Sequence, residues 1–540
     1  MKKFAPGLVP SAAPVSEIAY RAPDAADREP EPSRTPESRS SRPSSFVARH
    51  VWWIVGVVLV AAAAGLVRWA YTRPGYDPYG WLVWGYQTLH GTLNLGGAPS
   101  WKPMPWLFTV PYALFGHFDL WLWMTTVVAL SLAGVVFAGR IAFRIVDQGG
   151  KHRWPAIAAA VFAVVAILVI QDNQGYSYWH YFLSAQSDPP LASLCLAAID
   201  LAMIRRYGWS YAALTLAALG RPESWPFMLL FLIWAWRERE HRNMTPWIIA
   251  AGVVVLFLWF GIPTITNDRP LLSAQLAQHS PRMPKGSAVL GTIGRFKYLN
   301  LWPVWALAGI GVAWAAFRRN RAVLALFGAV LLWMAVEVMF SVQGFPGQPR
   351  YMFEPAVVAI VIAAVALGWL LAEIPGVLKV PRWGGIVVAV GLIAAFVPGA
   401  WARARSEHHE LLNERARTRE ISRLAGLIHV LGGRNQILTC ARPVLSVEWV
   451  SMFAWMMHMN TGAVGYKEQF ELHKPTPSLI FTPLPNGWAT YLWRPRASDG
   501  AACAKQMRIL YVFTKHHPNG VVSPNTVPPT LLPLHVKAKG

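Results

Sequence analysis

The sequence predicts a polytopic α-helical membrane protein with a small extracytoplasmic α/β domain at its C-terminus. Hydrophobic residues make up 54% of the 540 residues and charged residues only 14%, whereas soluble proteins carry about 25% charged residues. Apolar runs that approach the length of a membrane crossing recur from residue 51 to residue 400. Basic clusters occupy alternate loops between these runs, as expected when those loops face the cytoplasm.

The two ends of the chain differ in composition from the apolar region. Residues 1–46 are rich in Pro, Ser, Arg and Glu, which predicts a disordered cytoplasmic tail. Because the region near Met1 lacks the apolar core of a cleavable signal peptide, we expect the first apolar run to act as a retained signal anchor. Residues 517–540 are Pro-rich and predict a second loose tail.

About eleven apolar runs fall within the predicted membrane domain, residues 47–401. They cover approximately residues 51–70, 118–140, 154–170, 188–204, 209–220, 224–236, 246–263, 299–317, 322–341, 353–372 and 383–400. With all the basic clusters on the cytoplasmic side, the N-terminus lies inside and the C-terminus outside. This orientation requires the short runs 209–220 and 224–236 to form a hairpin whose Arg221-Pro222-Glu223 tip points outward.

Two of the predicted outer loops carry features of their own. The first loop contains an apolar stretch, residues 105–115, which is too short to span and is predicted to be an interfacial helix. The loop 264–298 breaks the charge rule because it carries five basic residues, which indicates a use for positive charge there. These residues are Arg269, Arg282, Lys285, Arg295 and Lys297.

Residues 402–516 predict an extracytoplasmic α/β domain. The spacing of apolar residues predicts helices at 407–431 and 447–459, and strands at 436–440, 488–493 and 507–513. Cys440 and Cys503 both lie in this domain, where an oxidising compartment would permit a disulfide. Spacing alone leaves open whether the two cysteines pair.

The net charge of +22 does not indicate nucleic-acid binding, because the arginines cluster between apolar runs, where membrane topology explains them. The sequence contains no Gly-rich phosphate loop before a helix, no His/Cys cluster with zinc spacing and no nucleophile elbow. An enzyme of this kind would therefore take its activated substrate from the membrane.

Asp77 is the first candidate site residue, because it lies just beyond the first apolar run. A carboxylate near a partly desolvated site can act as a general base that takes a proton from an attacking hydroxyl. The alternative is structural, since Asp followed by Pro also fits the start of a helix. The two roles are compatible.

Asp188, Arg221 and Glu223 are further candidates near the ends of apolar runs. Asp188 precedes two prolines, so it either caps a helix or acts as a second acid that orients the acceptor or binds a cation. Arg221 and Glu223 either pair within a structural turn, or Arg221 binds a phosphate and Glu223 contributes a second acid.

Arg350 and Tyr351 follow a Gly- and Pro-rich outer loop, Gly344 to Pro349, and Lys102 lies between Trp101 and Pro103. Arg350, Tyr351 and Lys102 are candidates for binding the phosphate of a donor. Arg282 and Lys285 in the basic loop are candidates for the same role. The alternative is that such cations extend to lipid headgroups at the membrane surface.

Taken together, these features resemble the glycosyltransferase C superfamily, in particular actinobacterial membrane members of it. The resemblance covers residues 50–400 and rests on the acid after the first span, the long first outer loop and three motifs in order. The motifs are Ser100-Trp-Lys-Pro-Met-Pro-Trp-Leu-Phe-Thr, Leu219-Gly-Arg-Pro-Glu-Ser-Trp-Pro-Phe and Gly347-Gln-Pro-Arg-Tyr.

The resemblance implies an inverting enzyme of the plasma membrane that takes a sugar, mannose or arabinofuranose, from a polyprenyl phosphate and transfers it to an envelope glycan or glycolipid. It implies that Asp77 is the base and that Arg221, Arg350 or the basic loop holds the donor phosphate. The sequence departs from many members because no second acid lies immediately around Asp77, which leaves the use of a divalent cation open. The alternatives are a lipid transporter or flippase and a non-catalytic envelope scaffold.

Overall fold

The structure is a computed structural model that describes residues 46–96, 101–267, 271–278, 282–284, 286–379, 381–466, 478–484, 487–493 and 512–513. The chain divides into two compact units, Met1–Ile54 and Val55–Gly540. Of the first unit, the described part is the beginning of helix α1. All the sites discussed below lie in the second unit.

The first half of the chain is helical. Its helices are α1 (Phe46–Ala70), α2 (Tyr76–Leu89), α3 (Pro103–Tyr112), α4 (Asp119–Asp147), α5 (Arg153–Leu168), α6 (Tyr178–Leu183), α7 (Asp188–Met203), α8 (Tyr207–Gly220), α9 (Trp225–Arg237), α10 (Thr245–Leu256) and α11 (Ile262–Thr266). The predicted hairpin of two short helices is present as α8 and α9, with a 3₁₀ turn at Pro222–Ser224 between them. The apolar stretch 105–115 forms α3 and the start of the 3₁₀ helix Ala113–Phe118.

The second half continues with helices until the C-terminal domain. These are α12 (Leu272–Gln278), α13 (Ala288–Leu299), α14 (Trp302–Arg318), α15 (Arg321–Val342), α16 (Phe353–Ala372), α17 (Ile374–Val377), α18 (Arg382–Val430), α19 (Gly433–Cys440) and α20 (Val447–Met456). The predicted outer loop 264–298 thus contains helical segments in its described part.

Among the residues that the structure describes, six helices are long and apolar enough to cross a membrane, or up to seven if the bent pair α13 and α14 counts as one span. Helices α1, α10 and α18 leave most of their apolar residues exposed, and Trp53, Trp154 and Trp247 are each more than three-quarters exposed. Apolar surface on this scale requires a lipid environment, because water would drive it into a core or into aggregates. The chain is therefore a multi-pass membrane protein, and the count of eleven spans with its orientation stays a prediction.

Helix α16 lies at the centre of the bundle. Of its most apolar window 89% is buried, and it packs against α4, α5, α7, α14, α15 and α18. Its sequence explains this position, since it is apolar on all sides and rich in Ala and Val, which lets neighbouring helices approach closely. Whatever precedes its first residue, Phe353, is therefore held at the middle of one end of the bundle.

The C-terminal domain combines helices with a five-stranded sheet. The strands β1 (Arg442–Leu445), β2 (Gly465–Tyr466), β3 (Ser478–Leu484), β4 (Gly487–Trp493) and β5 (Val512–Phe513) have the order β2-β1-β3-β4-β5. Strands β3 and β4 are antiparallel, and the other pairs are parallel. Phe453 of α20 packs on Phe481 of β3, and Trp488 of β4 donates to the carbonyl of Glu420 in α18 at 3.0 Å.

The predicted strand at 436–440 is wrong, because these residues form α19. Gly432 and Gly433 have φ angles of 88° and 72°, and they end the preceding helix and begin α19. Within α19 only Ile437 is buried, which is the one-sided burial of a short helix rather than the alternation of a strand. The strand begins two residues later, at Arg442.

Other boundaries follow the predictions with changes in length. The predicted helix 407–431 is present, but it is the second half of α18, which runs without a break through the predicted boundary at residues 401–402. The predicted buried helix 447–459 is α20. The predicted strands 488–493 and 507–513 correspond to β4 and, in the described part, β5. The predicted tails 1–46 and 517–540 lie outside the described residues except for Phe46.

Candidate active site

Asp77 and Arg350 form an ion pair although they lie 273 residues apart in the chain, with 3.2 Å between Arg350 Nη2 and Asp77 Oδ2. Asp77 lies in the first turn of α2, and Arg350 lies in the 3₁₀ turn Pro349–Met352 that leads into α16. Both side chains are 12–13% exposed. The carboxylate is therefore fixed by a cation but remains reachable from solvent.

The loop before Asp77 is tied to the loop before Asp188. Gly75 donates its backbone N–H to the carbonyl of Ser184 at 2.8 Å, and the hydroxyl of Thr72 donates to the carbonyl of Leu183 at 2.8 Å. A Cβ atom on Gly75 would lie 2.4 Å from Nε2 of Gln186, so a larger residue here would displace the end of the Gln186 side chain. Gln186 in turn accepts from Arg350 Nη1 at 3.2 Å.

Asp188 begins α7 and is fully buried. It pairs with the guanidinium of Arg221, which follows α8. Arg221 also contacts Glu223, with 3.4 Å between Nη1 and Oε1, and its guanidinium carbon lies 4.1 Å from the ring centroid of Tyr351. The same ring lies 5.4 Å from the guanidinium carbon of Arg350. Tyr351 therefore separates the two guanidinium groups and contacts both.

Lys102 is the third cation of this cluster, and it precedes α3. Its Nζ donates to Ser187 Oγ at 2.8 Å and lies 3.9 Å from Asp188 Oδ1. The ammonium is also 5.6 Å from the ring centroid of Trp81. Burial lowers the pKa of Lys102 from 10.5 to about 8, and the negative charge of Asp188 opposes this shift. Lys102 is thus a cation that can lose its charge in the mildly alkaline range.

The structure therefore places seven of the nine predicted catalytic and binding residues in one network of contacts: Asp77, Lys102, Asp188, Arg221, Glu223, Arg350 and Tyr351. The contacts just given do not include Arg282. It is exposed, and its carbonyl accepts from Arg295 Nη2 at 3.0 Å. Lys285 and Cys503 lie outside the described residues. Cys440 is disulfide-bonded, and its pairing with Cys503 stays a prediction.

Sequence reasoning missed three buried members of the network: Gln186, Ser187 and Glu354. Glu354 Oε1 lies 3.8 Å from Arg221 Nε, and Glu354 is 1% exposed. The sequence contains a signal for each of these three residues. Gln186 and Ser187 directly precede Asp188, and Glu354 follows Arg350 by four residues, which places the two on the same face of a helical turn.

An apolar cavity of about 460 Å³ lies between α7, α8, α9, α15 and α16, and Glu354 forms part of its wall. The rest of its lining is largely apolar and includes Ala198, Phe231, Ala329 and Val358. The cavity therefore adjoins the ion network through Glu354, the residue that contacts Arg221. Its volume falls within the range of about 300–1,000 Å³ typical of ligand sites.

Within the described part of the chain, His180, Glu410 and Glu414 form the group that could hold a metal ion, since their ligand atoms all lie within 4.8 Å of one another. His180 Nδ1 is 3.1 Å from Glu410 Oε1 and 3.9 Å from Glu414 Oε1. One imidazole with two carboxylates is a donor set suited to a transition-metal cation. The acids of the ion network are arranged differently, because Asp77 and Asp188 contact cationic side chains.

The arrangement combines three elements of use in group transfer. A partly accessible carboxylate is held by Arg350, further buried cations lie beside it, and an apolar cavity adjoins the cluster. Fixed cations stabilise negative charge that develops on a departing group, and a carboxylate can accept the proton of a hydroxyl. The site is thus equipped for an amphiphilic substrate with a charged head.

Neither a protein-family model nor a curated protein matches the chain. The solved structures that are similar to it include two of ArnT from Cupriavidus metallidurans. The apo structure has a TM-score of 0.44 and 17% sequence identity, and the structure bound to undecaprenyl phosphate has a TM-score of 0.40 and 16% identity. Each match covers 80% of this chain and 93% of the ArnT chain. With TM-scores below 0.5, the conclusion about activity has to come from the residues of the site.

Proposed function

We propose that the chain is an inverting membrane glycosyltransferase that moves a sugar from a polyprenyl-phosphate donor to a cell-envelope acceptor on the outer face of the plasma membrane. The observation that carries this proposal is the meeting of the Asp77–Arg350 pair, the buried cations and the apolar cavity at one end of the bundle. A lipid-linked sugar has the matching parts: an apolar chain, a phosphate and a sugar that leaves it.

The lipid chain would enter the cavity between α7, α8, α9, α15 and α16. Its phosphate would then lie near Glu354 and Arg221, at the edge of the ion network. Arg221 already contacts Asp188, Glu223 and Glu354, so its charge mainly organises these acids. Arg350 and Lys102 are the better phosphate ligands, because among the described residues Arg350 contacts one carboxylate, at 3.2 Å, and Lys102 contacts one, at 3.9 Å.

In the proposed reaction, Asp77 accepts the proton of the acceptor hydroxyl. The acceptor oxygen forms a bond to the anomeric carbon while the bond between that carbon and the phosphate oxygen breaks. The electron pair of the broken bond stays on the phosphate, and polyprenyl phosphate leaves with added negative charge. Arg350 and Lys102 stabilise this charge, which is larger in the transition state than in the bound donor.

The test is transfer by the purified full chain from polyprenyl-phosphate mannose and polyprenyl-phosphate arabinofuranose to envelope glycans. We expect Asp77→Asn to lower kcat by about 10²- to 10⁴-fold, because a positioned general base contributes that much. Glu240→Gln is the matched control, since Glu240 is exposed and makes no ion pair in the described part of the chain. Unchanged transfer by a correctly folded Asp77→Asn variant would refute the assignment of the base.

The alternative of a lipid transporter is decided by the same preparation in liposomes. A glycosylated product supports the transferase, whereas movement of labelled lipid between leaflets without any product supports the transporter. If the chain is an envelope scaffold, neither product nor lipid movement is expected. Cells that carry Asp77→Asn should then show an unchanged phenotype.

A further inference from the structure

A polar cleft of about 630 Å³ lies between the C-terminal end of α2 and the C-terminal domain. Its lining comes from α2, the loop after it, α19, β1 and the segment that follows α20. The lining residues with polar side chains are Tyr86, Gln87, Thr92, Asn94, Arg434, Arg442, His458 and Asn460. The candidate active site and the cleft share helix α2, since Asp77 lies in its first turn and Tyr86 in its last.

The cleft is rich in hydrogen-bond donors and positive charge, and no carboxylate is found among the described residues that line it. Arg434 is exposed and makes no hydrogen bond or ion pair in the described part of the chain. Arg442 is held in place by the carbonyls of Ala463 and Gly462, each at 3.1 Å, and its Nη1 group makes no hydrogen bond to the described residues. Such an excess of cations favours an anionic ligand.

Imidazole groups lie in and beside the cleft. The ring of His458 lies 4.4 Å from the ring of Tyr86 and 4.5 Å from the ring of His117, and Tyr86 also stacks on His90 at 4.0 Å. Burial, together with the charges of His117, Arg434 and His90, lowers the pKa of His458. An anion bound in the cleft would raise this pKa, because its negative charge favours the protonated imidazole.

The cleft also offers features that suit a sugar ring. The amides of Gln87, Asn94 and Asn460 are planar groups that pair with hydroxyls. Two of these amides are fixed by the backbone, because Asn460 donates to the carbonyl of Asn94 at 2.8 Å and Gly96 donates to Asn94 Oδ1 at 2.7 Å.

We propose that this cleft binds an anionic saccharide, a sugar unit with a carboxylate or phosphate group, as the part of the acceptor that does not react. This role in acceptor binding rests on the proposed glycosyl transfer. Tyr86 follows Asp77 by nine residues, so the two lie about 14 Å apart along α2. An extended acceptor would therefore be held by its anionic unit in the cleft while another unit presents its hydroxyl to Asp77.

The test is saturation-transfer-difference NMR on the full chain in detergent micelles, with glucuronic acid, glucose 6-phosphate and glucose as separate probes. Binding of inorganic phosphate is followed separately by the broadening of its 31P signal. We expect signals from the two anionic sugars and little from glucose. The double variant Arg434→Gln and His458→Asn should lower the affinity for the anionic sugars by about tenfold. This is the loss expected for one charge-assisted contact. Asparagine is chosen because His458 has a φ of 48°, which Asn adopts readily.

Arg419→Gln is the matched control, because it removes the same charge from an exposed arginine of α18 that is not part of the cleft. Equal signals from glucose and glucuronic acid would overturn the proposal, as would signals that the double variant leaves unchanged. Binding of inorganic phosphate without either anionic sugar would also overturn it. The proposed transfer is tested separately, since Asp77→Asn should abolish transfer and leave the NMR signals intact.

Discussion

At the scale of single residues, the site is organised by Arg350. This guanidinium binds Asp77 and Gln186 and lies against Tyr351, so it links the loop before α2, the loop before α7 and the start of α16. A carboxylate held in this way has a defined direction, which a general base needs at the moment of proton transfer. The pairing also limits the freedom of the arginine, so that less entropy is lost when it binds a phosphate.

Lys102 gives the proposed donor site a dependence on pH. Because its pKa is lowered to about 8, the ammonium is charged at pH 7 and loses its proton as the pH rises through 8. We expect the KM for the lipid donor to increase by up to about tenfold between about pH 7 and pH 9, because the charged fraction of Lys102 falls by that factor and a hydrogen bond to a charged group contributes about 1.5–3 kcal/mol. The measurement is the KM for the donor between about pH 7 and pH 9.

A Lys102→Met variant is the control for this prediction. It should have a raised KM for the donor already at pH 7 and should lose the increase around pH 8. If the variant keeps the pH profile of the natural chain, another group is responsible and Lys102 does not contact the donor.

At the scale of elements, α18 connects the membrane bundle to the C-terminal region. It also forms hydrogen bonds to the loop that precedes Asp77. It is 49 residues long, and its second half carries arginines that cap the ends of other segments. Arg415 donates to the carbonyls of Ala70 and Trp69 at the end of α1, each at 2.9 Å. Arg417 donates to the carbonyl of Pro74 at 2.9 Å, three residues before Asp77. The helix therefore holds the backbone on which the carboxylate depends.

We expect Arg417→Gln to lower kcat by about tenfold with little change in the KM for the donor, because a small displacement of Asp77 affects proton transfer more than donor binding. Arg417→Lys should recover part of the activity, since an ammonium can still donate to the carbonyl of Pro74. Arg419→Gln, two residues further along α18, serves as the control.

Thermal unfolding of the same variants separates positioning from general stability. A fall in transfer that is matched by a lower melting temperature, with no recovery in Arg417→Lys, would assign Arg417 a structural role only.

At the scale of the whole bundle, the apolar cavity beside α16 determines what kind of donor the site accepts. We expect Ala329→Phe, which projects a larger side chain into the cavity, to raise the KM for a long-chain polyprenyl donor. A donor analogue with a short chain should be affected much less, because it does not occupy the same volume. The measurement compares KM for the two donors, and Ala62→Phe on the exposed face of α1 is the control. Equal effects on both donors would place the lipid chain elsewhere.

The sequence by itself determined that the chain is a multi-pass membrane protein with polar residues at the ends of its apolar runs, because hydropathy along the chain is a local property. Even so, hydropathy did not settle the number of spans, and apolar spacing misassigned residues 436–440, where two glycines before the segment and one-sided burial favoured a helix. Only the tertiary structure decided that Arg350 meets Asp77 and that Arg221 meets Asp188. Such pairings depend on which helix ends are packed side by side around α16, and a linear pattern contains no information on contacts between segments hundreds of residues apart.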